Sequence, residues 1–144
     1  MAYWLVKSEP DAFSWAEQVA HDVEPWTGVR NHQAKKNLMA MKAGDRAFFY
    51  HSNVQRAIVG VVEVVREAYP DPTVADGSGP KGAWVCVDVK TVGSMPRPVA
   101  LSEIKDTPAL AEMALVRQSR LSVCPVTQAE WALLCEMGAW AEPG

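Results

Sequence analysis

The sequence predicts an α+β domain: a small, mostly antiparallel β-barrel with short helices on its flanks. Three observations carry this expectation. About five apolar runs rich in β-branched or aromatic residues are set apart by Pro- and Gly-rich breaks rather than by helices of regular length. Two capping-box spacings, Ser14 to Glu17 and Thr127 to Glu130, announce short helices inserted between those runs. No Gly-rich fingerprint follows any strand, which argues against a doubly wound parallel sheet. With 144 residues, 49% hydrophobic and 22% charged, the chain has the proportions of one globular domain over 1–144.

The elements follow in order. Tyr3 to Lys7 is aromatic and aliphatic enough for a first strand, which Pro10 ends. Ser14 caps a helix to about His21. Glu24 to Arg30 is a loop punctuated by Pro25 and Gly28. Asn31 caps a second helix with Ala34, Leu38 and Met41 on one face and Lys35, Lys36 and Lys42 off it; Gly44 closes it. Arg46 to His51 and Arg56 to Ala68 are strands, and Gly60 within the second calls for a bulge or bend, as barrel closure requires. Pro70 to Gly82 is a loop with a variable stretch at Asp76 to Pro80. Trp84 to Val92 alternates as a strand, and Pro96-Arg97-Pro98 is an extended linker. Ser102 caps a short helix, another covers 109–114, Leu121 to Val123 is a strand stopped by Pro125, and Thr127 opens the last helix to Gly138.

Composition excludes several functions. The longest apolar run, Ala57 to Val62, falls far short of the roughly 20 residues that span a bilayer, so no membrane partner is expected. The first ten residues have no basic n-region or apolar h-region, so no secretory signal is expected. Cys86, Cys124 and Cys135 form no Cys-x-x-Cys; a reducing cytoplasm is the expected compartment, and no metal or cofactor is expected. The net charge of −3 combines −4 over 1–26, +5 over 27–66 and −4 over 67–144. A protein gripping DNA mainly by phosphates is usually basic throughout, whereas this chain offers a local basic face.

Polar clusters stand at the ends of apolar segments. They are Lys7-Ser8-Glu9-Pro10, Trp26-Thr27-Gly28-Val29-Arg30-Asn31 and Tyr50-His51-Ser52-Asn53. Each has a bland reading: Ser52 and Asn53 form turns, Gly28 serves a positive φ, Asn31 only caps. Each also suits the polar rim of a ligand pocket. Six tryptophans are many for this length. Trp4, Trp84 and Trp131 read as core and Trp140 as near a frayed end, whereas Trp15 suits either core or pocket wall.

The stretches Tyr3 to Pro10, Trp26 to Asn31 and Phe49 to Asn53, which hold these clusters, together with Ile58 to Val64, Ala68 to Thr73 and Ser119 to Val123, resemble the EVE domain family of the PUA-like superfamily. The resemblance runs from Tyr3 to about Trp131. Cys124 departs from it, standing where the family usually carries Gln. The resemblance implies a PUA-like β-barrel related to YTH domains, which read methylated adenine in RNA. It implies a bacterial-type stand-alone binding module, not an enzyme, that recognises a modified base of the 5-methylcytosine type in DNA or RNA.

In that reading the three clusters meet at one pocket that takes a base out of its stack. Trp26 supplies a stacking wall. Ser8, Ser52, Asn53 and His51 address the base edge, with Tyr50 packed behind. Arg30, Arg120 and Lys7 hold flanking phosphates, helped by Lys35 and Lys36. Asn31 either touches ligand or organises its loop, and Ser119 and Ser122 either line the barrel wall or touch ligand. A monomer of modest affinity and shallow salt dependence is expected. The competing classes are a nucleic-acid-modifying or nucleoside-processing enzyme using Glu9, His51 and Ser52, and a protein–protein adaptor. No Walker A, nucleophile-elbow or His-Glu-x-x-His motif favours the enzyme.

Overall fold

The computed structural model describes residues 1–73 and 84–142. Its elements are β1 (Tyr3–Ser8), α1 (Trp15–His21), β2 (Val23–Pro25), α2 (His32–Ala40), β3 (Arg46–His51), β4 (Ala57–Pro70), β5 (Val85–Ala100), α3 (Leu101–Lys105), a 3-10 turn (Pro108–Leu110), α4 (Ala114–Arg117), β6 (Val123–Val126) and α5 (Gln128–Met137). The strands form one six-stranded sheet in the order β2-β5-β4-β3-β1-β6. β1 and β3 run parallel and the other pairs antiparallel. The α+β, PUA-like expectation holds, but the barrel does not: the sheet stays open, with β2 and β6 at its edges. Those edges are only three and four residues long, too short for a ladder that would close the sheet.

Local signals in the sequence are met where they are strongest. Ser14 Oγ accepts from Glu17 N and Glu17 Oε1 accepts from Ser14 N, so the first capping box is complete. Thr127 and Glu130 close the second in the same way. Asn31 Oδ1 accepts from Ala34 N at the start of α2, and Leu38 and Met41 are buried as expected. The register slips between Ile58 and Gly60, where a bend was expected.

Several boundaries differ. α2 ends at Ala40, and Gly44 (φ +96°) serves the turn into β3 instead of closing the helix. Ser102 lies inside α3, whose first turn Glu103 supports by accepting from Ala100 N (3.4 Å). Residues 108–110 and 114–117 are helical in place of one helix over 109–114. Val23–Pro25 is a short strand, not loop. Pro70 ends β4; residues 74–83 of the expected loop lie outside the described residues. Pro96 and Pro98 belong to β5, in a stretch where the register jumps from Gly60↔Ser94 to Ile58↔Val99, so no ladder N–H is asked of them there. Pro125 is tolerated inside β6 because β6 is an edge strand.

Both faces of the sheet are covered, which is why β3 and β4 read as continuous apolar runs. Phe48 and Phe49, neighbours in β3, point to opposite faces. Phe48 stacks on Trp131 of α5 (centroids 3.9 Å), which also stacks on Tyr3 (4.5 Å). Phe49 is met edge-on by Trp15 (5.1 Å) and Trp26 (5.4 Å). Trp15 therefore belongs to the core, with Nε1 donating to Ser94 Oγ (2.8 Å). Trp4 Nε1 donates to the buried Asp45 carboxylate (3.0 Å). Among the described residues no helix is long and apolar enough to cross a membrane.

Candidate functional site

The parallel pairing of β1 and β3 brings two of the polar clusters together. Lys7 is paired with Tyr50, and Ser8 with His51. Ser52 N donates to Ser8 O (3.0 Å), so the two chains leave the sheet side by side. The pleat then separates their side chains. Ser8 and His51 share one face, Lys7 and Tyr50 the other. Lys7 Nζ sits 6.0 Å from the Tyr50 ring and donates to Ser119 O (2.9 Å).

The expected site residues consequently line more than one concavity. A cavity of about 410 Å³ opens between the end of β1, the Ala12-Phe13 segment and residues 24–30. Its walls include Lys7, Ser8, Trp26, Arg30 and Ser122. A second, of about 360 Å³, takes Lys7 again with Tyr50, Ser52, Asn53 and Ser119. A third, of about 380 Å³, holds Asn31, Ser119 and Arg120. Lys7 joins the first to the second and Ser119 the second to the third. His51, Lys35 and Lys36 line none of the three.

The first cavity has a mixed lining suited to a ligand with both apolar and polar edges: Phe13, Pro25, Trp26 and Val29 stand among Lys7, Ser8, Glu24 and Arg30. Trp26 is buried, with its ring edge-on to both Phe49 and Phe13 (6.2 Å for the latter). Two aromatic neighbours at right angles fix the indole plane, so its exposed strip is presented rigidly. Ser8 Oγ donates to Phe13 O (2.6 Å), which leaves its lone pairs for a ligand N–H. Glu24 also borders the cavity, its carboxylate paired with His21 Nδ1 (2.8 Å).

The loop from Thr27 to Arg30 is held from outside by Asp71. This carboxylate, with no side-chain surface exposed, accepts from Gly28 N (2.9 Å), Arg30 Nη1 (3.0 Å), Thr73 N (2.7 Å) and Thr73 Oγ1 (2.6 Å). Burial works to raise its pKa. The hydrogen bonds from Thr73, Gly28 and Arg30 outweigh that and hold it at about 2. Gly28 takes φ +85°, a conformation that glycine adopts without strain, and so turns its N–H toward Asp71. Arg30 also donates to Val29 O and Thr73 Oγ1. Its guanidinium is thus engaged within the protein, although 41% of the side chain remains exposed.

His51 is consumed structurally. The Trp15 backbone N–H donates to His51 Nε2 (2.9 Å), so the ring proton sits on Nδ1 and faces Gln55 Oε1 (2.6 Å). The ring caps the start of α1 and has no nitrogen left for proton transfer with Glu9 or Ser52, which face the second cavity. Asn31 does both jobs that were open for it: it caps α2 and lines the third cavity. Cys124 is buried in β6 opposite Leu5, and burial pushes its thiol up to about 11 against the pull of Lys7. Its departure from the usual Gln falls in the core.

Sequence reasoning missed Phe13, Glu24 and Asp71. Glu24 stands two residues before Trp26, and Asp71 falls inside the Ala68 to Thr73 stretch that carried part of the resemblance. What could not be seen was that residue 71 folds back onto residue 28.

Comparison with known proteins finds relatives of the same fold. A family model described as EVE domain matches residues 2–137. A crystal structure of an Agrobacterium tumefaciens protein superposes with a TM-score of 0.92 at 50% identity, covering 99% of this chain and 97% of that one. Human THYN1, solved in complex with 5-methylcytosine-containing DNA, superposes with a TM-score of 0.87 at 34% identity, covering 99% of this chain and 100% of that one. Thymocyte nuclear protein 1 of Gallus gallus is 40% identical in an alignment that covers 90% of this chain and 65% of the avian protein.

Proposed function

The chain belongs to the EVE domain family, and we propose that it is a nucleic-acid-binding module that reads a modified base of the 5-methylcytosine type. The observation that carries this reading is the 410 Å³ cavity lined both by a rigidly held indole and by Ser8 and Glu24, which offer acceptors. A relative of the same fold has been solved with 5-methylcytosine-containing DNA, which supports the same ligand class here.

The chemistry follows from the walls. A base inside a duplex hides its edge, so the base must leave the stack, at a cost of a few kcal/mol. Stacking on Trp26 returns roughly 1–3 kcal/mol per base. Cytosine presents an exocyclic amine, a donor suited to a carboxylate such as Glu24 or a hydroxyl such as Ser8. A 5-methyl group is apolar and adds contact with Phe13, Pro25 and Val29. One methyl in an apolar pocket is worth on the order of 1–3 kcal/mol, so a preference of roughly 10- to 200-fold over cytosine is expected.

The test uses end-labelled single strands of DNA and RNA with one central cytosine, 5-methylcytosine, 5-hydroxymethylcytosine, adenine or N6-methyladenine, read by anisotropy. The expected result is a preference for a modified cytosine. Trp26→Phe, which keeps an aromatic residue in the core, is expected to weaken that binding several-fold with little change in melting temperature. Equal affinity for cytosine and every modified base by the folded protein would overturn the reading.

A further inference from the structure

The second cavity has a different chemistry from the base pocket beside it. Three cations, Lys7, Arg56 and Lys105, face one acid, Glu9, with the hydroxyls of Ser52 and Ser119 between them. In a chain of net charge −3, such an excess is local and concentrated.

Two of these cations also stand apart from the ion pairs that hold other arginines of the chain. Arg30 is paired with Asp71, Arg46 with Glu63 and Glu142, Arg97 with Glu103 and Arg117 with Glu112. Among the described residues neither Arg56 nor Lys105 has an ion-pair partner. Arg56 sits in the turn that follows β3, at φ +50°, a left-handed conformation that a side chain of this size rarely adopts. Its Nε donates to Asn53 O (3.0 Å), and Asn53 itself takes φ +73°. The turn thereby anchors the guanidinium at one end and leaves its two terminal nitrogens as a fork. That fork matches two oxygens of a phosphate. Leu101 and Leu115 supply the apolar part of the cavity lining.

We propose that this cavity is a phosphodiester subsite. Arg56 and Lys105 receive a backbone phosphate adjoining the read base, and Lys7, which borders both cavities, spans from base to backbone. The proposal rests on the base-reading function. It places the strand on the side of β3 away from α1 and gives the turn 52–56 its purpose. The third cavity, with Arg117 and Arg120 and joined through Ser119, continues the same path.

The experiment compares the native protein, an Arg56→Gln/Lys105→Gln variant and Lys90→Gln, a surface control outside all three cavities. Each is titrated with cytosine and 5-methylcytosine single strands, as DNA and as RNA, across a series of salt concentrations, with a melting curve as the folding control. Each lost phosphate contact on a single strand lowers the slope of log K against log salt by about 0.7. The double variant loses the one phosphate its two side chains share, so it is expected to lose about 0.7 of slope and tenfold or more in low-salt affinity, equally for both bases, with Lys90→Gln unchanged. An unchanged slope and affinity overturn the subsite. So does a change confined to the ratio of modified to unmodified affinity, which would place Arg56 and Lys105 at the base. A native protein that shows no base preference but gives the slope change retains the subsite and loses the base-reading function. No binding to any strand overturns both.

Discussion

Gly60→Ala is expected to lower the unfolding free energy by about 3 kcal/mol, the upper end of the usual cost of overpacking. A Cβ built at residue 60 would lie 2.3 Å from two carbons of the Trp15 indole. Something must shift, and the indole is badly placed to do so. Its Nε1 is bonded to Ser94 Oγ, its own backbone N–H to His51 Nε2, and its edge lies against Phe49. Moving the ring breaks a part-buried hydrogen bond, a net loss of about 1 kcal/mol, and draws the indole off its packing on Phe49. Urea unfolding of Gly60→Ala, Trp15→Phe and the double variant measures this directly. The smaller ring makes room for the methyl, so the double variant is expected to be more stable than the sum of the single losses, by 1 kcal/mol or more. Simple additivity would show that Trp15 is not what excludes a side chain at residue 60.

That prediction marks where the sequence could be read and where it could not. The bend at Gly60 was legible because a glycine in a β-branched run has few other uses. The reason for it, an indole 45 positions earlier in the chain, was not. The same division runs through the fold. The capping boxes at Ser14 and Thr127 are exchanges within four residues and came out as the sequence implied. Closure of the barrel depends on whether β2 and β6 are long enough to meet, which no local pattern states. Pro96 and Pro98 are breakers when read singly, yet sit inside β5 because the partner strand skips there.

The candidate site divides in the same manner. Polar residues at the ends of apolar strands were visible in sequence, and three of the clusters do border cavities. Their distribution was not visible, because it depends on register. Once Lys7 pairs with Tyr50 and Ser8 with His51, the pleat sends Lys7 and Ser8 to opposite faces. His51 had the composition of a ligand residue and became the cap of α1, since the Trp15 amide lies within reach of its ring. Arg30 read as a phosphate ligand while its partner Asp71, 41 residues away, went unnoticed.

Asp71→Asn separates those two views of Arg30. The native carboxylate contributes stability because its pKa is about 2 when folded and 3.8 as a free side chain. A depressed pKa gives a contribution that is complete above the unfolded value, falls as pH drops from about 4 through 2, and is absent below both. A difference of this size corresponds to about 2 kcal/mol at neutral pH. The asparagine variant is expected to be less stable than the native protein by that amount at pH 7, with the two curves converging toward pH 2. Parallel curves from urea unfolding at pH 7, 5 and 3 would show that the carboxylate charge does not hold the loop. The ligand consequence has a definite sign as well. An Asn side chain offers one oxygen where the carboxylate offers two, so its amide turns N–H groups either toward the Gly28 N–H and the Arg30 guanidinium or toward the Thr73 N–H, all of them donors, and it carries no charge to hold Arg30. The loop carrying Trp26, Thr27 and Val29 then loses its anchor, and binding of the modified strand is expected to fall tenfold or more with its salt slope unchanged. If Arg30 instead gripped phosphate, removing its internal partner would free the guanidinium and give tighter binding with a steeper salt dependence. The two outcomes differ in direction, so one titration of Asp71→Asn at two salt concentrations decides whether Arg30 serves the loop or the strand.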